Sequence, residues 1–89
     1  MSTTIMVVDD SPFASKQIKD IVEDNGYEVI GYAKDGEEAI ELYKELKPDI
    51  VILDIIMPGL NGLETAEILK KQDPAVKILM LSLTIMLQN

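Results

Sequence analysis

Four short apolar runs, separated by segments of helical period, most strongly constrain what this chain can fold into. They are rich in β-branched residues and begin near Ile5, Glu28, Ile50 and Lys77. Residues 5–8 and 50–53 are apolar at every position rather than at alternate ones, which is typical of strands covered on both faces. Strands that alternate with helices favour a parallel sheet, and right-handed crossovers place helices on both of its faces. The sequence therefore predicts a doubly wound α/β sheet.

Capping and turn residues delimit three helical segments. The pairs Ser11-Pro12, Asp35-Gly36 and Asn61-Gly62 suit helix starts, and Asn25-Gly26, Lys47-Pro48 and Asp73-Pro74 suit helix ends. The helical period predicts inward faces made of Ala14, Ile18, Ile21 and Val22, then Ala39, Ile40, Tyr43 and Leu46, then Leu63, Ala66 and Leu69.

Composition narrows the possible functions. A chain of 89 residues has room for one domain, and no apolar stretch approaches the roughly 18 residues of a membrane span, so we expect no membrane partner. The net charge of -8 disfavours a nucleic-acid surface, because phosphates would be repelled. With no cysteine and no recognisable leader, a cytoplasmic location is the simplest expectation. Histidine is absent as well, so any chemistry must be carboxylate chemistry.

Carboxylates follow two of the apolar runs. Asp9 and Asp10 come directly after the first run, and Asp54 ends the third. Taken singly, the Asp pair could be an acidic turn before a helix, and Asp54 a solvated carboxylate. Parallel strands that lie side by side would instead bring all three to one sheet edge, where like charges should raise the pKa of at least one of them. Oxygen ligands of this kind suit Mg²⁺.

In these positions the chain resembles the receiver domain of two-component response regulators. The resemblance covers residues 4–82 and rests on Asp9-Asp10-Ser11, on Asp54 followed by Met57-Pro58-Gly59 and Gly62, and on Ser82 after residues 77–81. It implies a flavodoxin-like fold and the role of a phosphoacceptor protein rather than an enzyme.

The resemblance also implies a role for each matching residue. Asp54 would accept a phosphoryl group from a histidine of a sensor kinase. Asp10 and Asp54 would bind Mg²⁺ directly, Asp9 would act largely through water, and the backbone carbonyl of Ile56 would add a further ligand. Met57, Pro58 and Gly59 would position the loop after Asp54. Ser82 would contact the phosphoryl group as a switch, although a serine that ends a strand often only satisfies a backbone group.

The end of the sequence departs from the family pattern. Receiver domains continue with a fifth strand that ends in a lysine and with further helices, and nothing after Ser82 matches these. We therefore interpret residues 1–82 as a partial receiver domain of about four βα units, and residues 83–89 as an apolar tail outside the family pattern. Phosphorylation should then be impaired, and an uncovered sheet edge or face should drive self-association, most simply as a homodimer.

Two other functions are possible. The chain could be an engineered or truncated half-domain that self-associates as a structural oligomer without phosphotransfer. A phosphatase of the haloacid dehalogenase type is disfavoured, because its Asp-x-Asp pair is absent where Asp54 is followed by Ile55-Ile56.

Overall fold

The computed structural model describes residues 2–57 and 59–81, which form a four-stranded parallel sheet and three helices. The strands are β1 (Thr4–Val8), β2 (Glu28–Ala33), β3 (Ile50–Asp54) and β4 (Lys77–Leu81), and the helices are α1 (Pro12–Asp24), α2 (Gly36–Leu46) and α3 (Gly62–Gln72). The strand order is β2-β1-β3-β4, with every pair parallel. The predicted flavodoxin-like, doubly wound sheet is confirmed. The predictions for Pro58, Ser82 and residues 83–89 lie outside the described residues.

Side-chain caps start each helix, a few residues after the strand for α1 and α2 and after a longer loop for α3. The Ser11 hydroxyl accepts the backbone N–H of Ala14 at 3.2 Å, and the Asp35 carboxylate accepts that of Glu38 at 2.8 Å. Asn61 and Glu64 accept each other's backbone N–H groups at 2.9 and 3.3 Å, which forms a capping box. These bonds satisfy amides that would otherwise lack partners, so the chain turns into each helix at the same edge of the sheet.

The core lies on both faces of the sheet. One cluster joins alternate strand residues to α2 and α3 and contains Met6, Val8, Val51, Leu53, Ala39, Tyr43 and Leu69. The other joins the intervening strand residues to α1 and contains Ile5, Val7, Ile52 and Ile18. Successive residues of a strand point to opposite faces, which explains why β1 and β3 are apolar at consecutive positions.

Two of the predicted inward positions are wrong. Ile21 is 61% exposed and Leu63 is 59% exposed. Helix α1 packs mainly on β1 and β2 and buries the narrow stripe of Ala14, Ser15 and Ile18, which does not extend to Ile21. The buried residues of α3 are Gly62, Thr65 and Leu69. Small residues in the first turns of α3 bring it close to the chain that follows β3, and this rotates Leu63 out to solvent.

Strand β4 forms one edge of the described sheet. Leu79 in this strand is 55% exposed. Over residues 2–57 and 59–81, no helix is both long and apolar enough to cross a lipid bilayer.

Gly62→Ala should destabilise the fold by about 1–3 kcal/mol. A methyl group at Gly62 would lie 2.7 Å from the Cα of Ile55 and closer still to the carbonyl oxygen of Asp54. Backbone atoms cannot rotate away, so the clash should outweigh the better helix propensity of alanine. Chemical denaturation should measure the loss. The exposed neighbour Leu63 provides the control, since Leu63→Ala should change the free energy of unfolding much less; equal losses in the two variants would contradict this account.

Candidate metal centre

Three carboxylates meet at the carboxyl edge of the sheet. In the parallel pairing of β1 with β3, Val8 lies opposite Leu53, so the residues that follow these two are neighbours. Carboxylate oxygens of Asp9, Asp10 and Asp54 all lie within 4.8 Å of one another. The structure thus brings together the three acidic residues that the sequence predicted to converge.

The position of this cluster follows from the winding of the chain. The connection through α1 crosses one face of the sheet, and the connection through α2 crosses the other. The strand order therefore reverses between β1 and β3. Ligands of open α/β sheets bind in the crevice at such a reversal.

Asp9 is the most enclosed of the three carboxylates. It is 7% exposed and accepts the backbone N–H of Ser11 at 2.9 Å. Burial raises the pKa of Asp9, the Ser11 hydrogen bond opposes that rise, and the nearby charges of Asp54 and Asp10 add to it. Asp9 is therefore a largely buried carboxylate with two like charges beside it.

Asp54 is half-buried at the end of β3. Its Oδ1 accepts the backbone N–H of Ile56 at 3.2 Å, which fixes the orientation of the carboxylate. Burial is the main cause of its raised pKa, with the charge of Asp10 contributing in the same direction. Asp10 itself is exposed and faces solvent.

This donor set fits a small hard cation. All three side chains offer carboxylate oxygens, which Mg²⁺ prefers to nitrogen or sulfur. Burial raises the pKa values of Asp9 and Asp54 and nearby like charges raise them further, and a divalent cation would relieve that repulsion. Mg²⁺ also keeps several waters, which the exposed side of the site at Asp10 allows.

A cavity of about 400 Å³ opens beside the cluster, between α1 and β2. Asp9 and Asp10 form part of its wall, together with Lys16, Lys19 and Tyr32. The cavity gives a small ligand an open approach to the carboxylates, and its lysines offset part of their negative potential.

The loop after Asp54 contains the predicted site residues Ile56, Met57 and Gly59, whereas Pro58 and Ser82 lie outside the described residues. Met57 is 7% exposed and belongs to the core cluster under α2 and α3, so it anchors the loop by packing. Gly59 has a φ of 73°, a left-handed conformation that favours glycine. Ile56 is 65% exposed. The role of its carbonyl as a metal ligand stays a prediction.

Two residues next to this loop were not singled out from the sequence. Thr65 is completely buried and its hydroxyl donates to the carbonyl of Asn61 at 2.9 Å. Gly36, at the start of α2, faces Thr65 and Leu60 at close range. The sequence did contain one signal of close packing here. Helices α2 and α3 both begin with glycine directly after the cap residue, a position where glycine has no capping role.

Comparison with known proteins agrees with this geometry. The family model for the response regulator receiver domain matches residues 5–89. The chemotaxis protein CheY of Thermotoga maritima is 48% identical over 82 residues, which cover 92% of this chain and 68% of that protein. CheY of Listeria monocytogenes is 45% identical over 78 residues, covering 88% of this chain and 66% of that protein.

Solved structures give the same result. The response regulator domain of Thermotoga maritima CheB superposes with a TM-score of 0.85 at 41% identity, over 92% of this chain and 61% of the other. CheY in the CheX-CheY-BeF3-Mg²⁺ complex from Borrelia burgdorferi superposes with a TM-score of 0.86 at 37% identity, over 89% and 60%. The chain thus spans about two thirds of the length of the curated relatives it matches. Its sequence, its sheet and its three converging carboxylates together show that the chain belongs to the family of response regulator receiver domains.

Proposed function

We propose that this chain is a phosphoacceptor module of a two-component signalling system, in which Asp54 receives a phosphoryl group from a histidine of a sensor kinase with the help of Mg²⁺. The observation that carries the proposal is the convergence of Asp9, Asp10 and Asp54 within 4.8 Å at the crevice of a receiver fold. Carboxylates that could serve as nucleophile and as cation ligands lie together there beside an open cavity.

In the proposed reaction, a carboxylate oxygen of Asp54 attacks phosphorus while the bond from phosphorus to the histidine nitrogen breaks. The electron pair of that bond returns to the imidazole, and the product is an aspartyl phosphate. When bound, Mg²⁺ neutralises the negative charge that would otherwise keep the carboxylate and the phosphoryl group apart. The backbone N–H of Ile56 holds Oδ1 of Asp54 and so aims the carboxylate out of the sheet edge.

Asp9 and Asp10 have supporting roles in this proposal. Asp10 is exposed and would bind the cation directly, whereas the buried Asp9 would act largely through water. Ser11 donates its backbone N–H to Asp9 and caps α1 with its hydroxyl, so the same turn orients one carboxylate and starts the helix. The Ile56 carbonyl as a ligand and Ser82 as the switch complete the proposed residue set.

The proposed setting is bacterial or archaeal signalling in the cytoplasm. The names of the relatives include a chemotaxis protein and a protein-glutamate methylesterase/protein-glutamine glutaminase, and the chain covers only 24% of the latter. The similarity to the chemotaxis protein supports a proposed role in chemotaxis. The module itself is proposed as an acceptor rather than an enzyme.

Incubation with Mg²⁺ and acetyl phosphate, which stands in for the phosphohistidine of the kinase, should add the mass of one phosphoryl group to the intact protein. Asp54→Asn should abolish the adduct, since an amide is a poor nucleophile toward phosphorus. Intact-mass spectrometry makes the measurement.

Asp24→Asn is the matched control for that experiment. Asp24 is an exposed carboxylate at the far end of α1 from the cluster, so its variant should form the adduct as the wild type does. An adduct that persists in Asp54→Asn would show that another residue is the acceptor.

Mg²⁺ should raise the Tm of the protein at neutral pH, and the rise should fade as the pH falls. Binding at ten times the dissociation constant stabilises by about 1.4 kcal/mol, or roughly 6–11 °C for a domain of this size. The raised pKa values of Asp9 and Asp54 mean that the folded state takes up protons before the unfolded state as the pH falls below neutral. Protonation of the folded site relieves its charge repulsion but removes the ligands, so acid should weaken the Mg²⁺ effect.

The variant Asp54→Asn separates the relief of charge repulsion from the loss of a metal ligand. Without Mg²⁺ at neutral pH this variant should melt above the wild type, because one of the repelling charges is gone. With Mg²⁺ it should show little further rise. Thermal melts at several pH values test both statements, and a wild-type Tm that does not respond to millimolar Mg²⁺ would count against the proposed site.

We also propose that the chain self-associates through the β4 edge. Leu79 is 55% exposed in this edge strand, on the face of the sheet that carries α1. An exposed leucine in the edge strand of the described sheet favours pairing with a second copy.

Sedimentation should therefore show a dimer at micromolar concentration for the wild type and a monomer for Leu79→Lys, because a charge at the interface would have to be desolvated. Leu63→Lys is the control, since Leu63 is similarly exposed but lies on α3. That variant should remain dimeric. A wild type that sediments as a monomer would refute this part of the proposal.

A further inference from the structure

The first turn of α2 contacts the loop that follows Asp54. We call residues 55–57 and 59–61 the acceptor loop. A methyl group at Gly36 would lie 2.7 Å from the Cβ of Leu60 in that loop, 3.1 Å from its carbonyl oxygen, and closest of all to Oγ1 of Thr65. Real Cβ atoms do not approach their neighbours this closely, so the observed packing requires a residue without a side chain at position 36.

Neither neighbour of Gly36 can move aside easily. Thr65 is completely buried, and its hydroxyl donates to the carbonyl of Asn61 at 2.9 Å. Leu60 presents its carbonyl oxygen as well as its Cβ, so moving it would move the backbone of the acceptor loop. A side chain at position 36 would therefore displace the loop, the first turns of α3, or both.

The same loop and helix hold Asp54. Gly62, at the start of α3, donates its backbone N–H to the carbonyl of Ile55 at 3.0 Å and lies directly against the backbone of Asp54 and Ile55. Ile56 in turn donates its N–H to Oδ1 of Asp54. A displacement that begins at Leu60 or Thr65 is thus carried through rigid backbone contacts to the acceptor carboxylate.

The acceptor loop also lies over the next residue of α2. The position that a Cβ of Gly59 would occupy is 3.5 and 3.6 Å from the two carboxylate oxygens of Glu37. Little space therefore separates the first turn of α2 from the acceptor loop at both Gly59 and Leu60.

From these contacts we propose that Gly36 is a positioning residue for the acceptor site: the space left by its missing side chain seats the acceptor loop and the first turns of α3, and so holds Asp54 in the orientation that binds Mg²⁺. This inference rests on the proposed function. Gly36 touches neither the cation site nor the phosphoryl donor and acts only through Leu60 and Thr65.

Gly31 provides a matched comparison. It also packs closely, but a methyl group there would meet only the ends of the flexible side chains of Leu46 and Leu42. It lies in the middle of β2, away from the acceptor loop. A glycine-to-alanine change at this position can strain the core without displacing Asp54.

The test is calorimetric titration of the metal-free protein with Mg²⁺, together with thermal melts, on the wild type, Gly36→Ala and Gly31→Ala. We expect Gly36→Ala to raise the Mg²⁺ dissociation constant about tenfold, the usual scale for residues that orient metal ligands. Gly31→Ala should lower the Tm but keep the wild-type dissociation constant. A purely structural role of Gly36 would instead change the Tm in both variants and the Mg²⁺ affinity in neither.

A double variant adds a rescue. Thr65→Ala removes the atom nearest to the new methyl group, so Gly36→Ala/Thr65→Ala should recover part of the lost affinity, a coupling that a double-mutant cycle measures. Should Gly36→Ala fail to fold and the double variant fail as well, the proposal is overturned, because Gly36 would then be a requirement of the core.

The outcomes separate this inference from the proposed function. A wild type without a Mg²⁺ response overturns both. A folded Gly36→Ala that binds Mg²⁺ as tightly as a responsive wild type overturns the inference and leaves the proposed function standing.

Discussion

The rest of the site depends on the parallel pairing of β1 with β3. Because Val8 lies opposite Leu53, the chain leaves both strands at the same level and delivers three carboxylates to one small volume. Burial raises the pKa values of Asp9 and Asp54 and the nearby like charges add to the rise, and this is an energetic cost to the metal-free fold. A site that is strained in this way is suited to a cation, since the cation relieves the strain as it binds.

The strands place the carboxylates, but the loops and helix starts orient them. Asp9 is held by the turn that caps α1, and Asp54 by the N–H of Ile56. The segment after Asp54 is enclosed by Met57 in the core, by Gly62 at one end and by the first turn of α2 at the other. The two receiver structures share the fold over about 90% of this chain. The packing around the segment after Asp54 can therefore be compared directly between them and this protein.

Much of this arrangement could be predicted from residue patterns. The consecutive apolar positions of residues 5–8 and 50–53, and the caps Ser11, Asp35 and Asn61, are local signals, and local hydrogen bonds and side-chain alternation translate them directly into strands and helix starts. The convergence of Asp9, Asp10 and Asp54 was predictable as well, because parallel strands share an edge. The inward faces of α1 and α3 were predicted less well, as Ile21 and Leu63 show, since periodicity finds an apolar stripe but not which part of it a neighbour covers.

The sequence by itself determined the order of strands and helices, the buried central strands and the acidic residues at their ends, because each depends on neighbouring residues along the chain. Only the tertiary structure decided which carboxylate is enclosed and which faces solvent, and that Gly36, Leu60 and Thr65 meet near the start of α3, where Gly62 lies against the backbone of Asp54. Those contacts join residues from separate βα units. Their distances depend on how closely α2 and α3 pack on one face of the sheet, which no local pattern specifies.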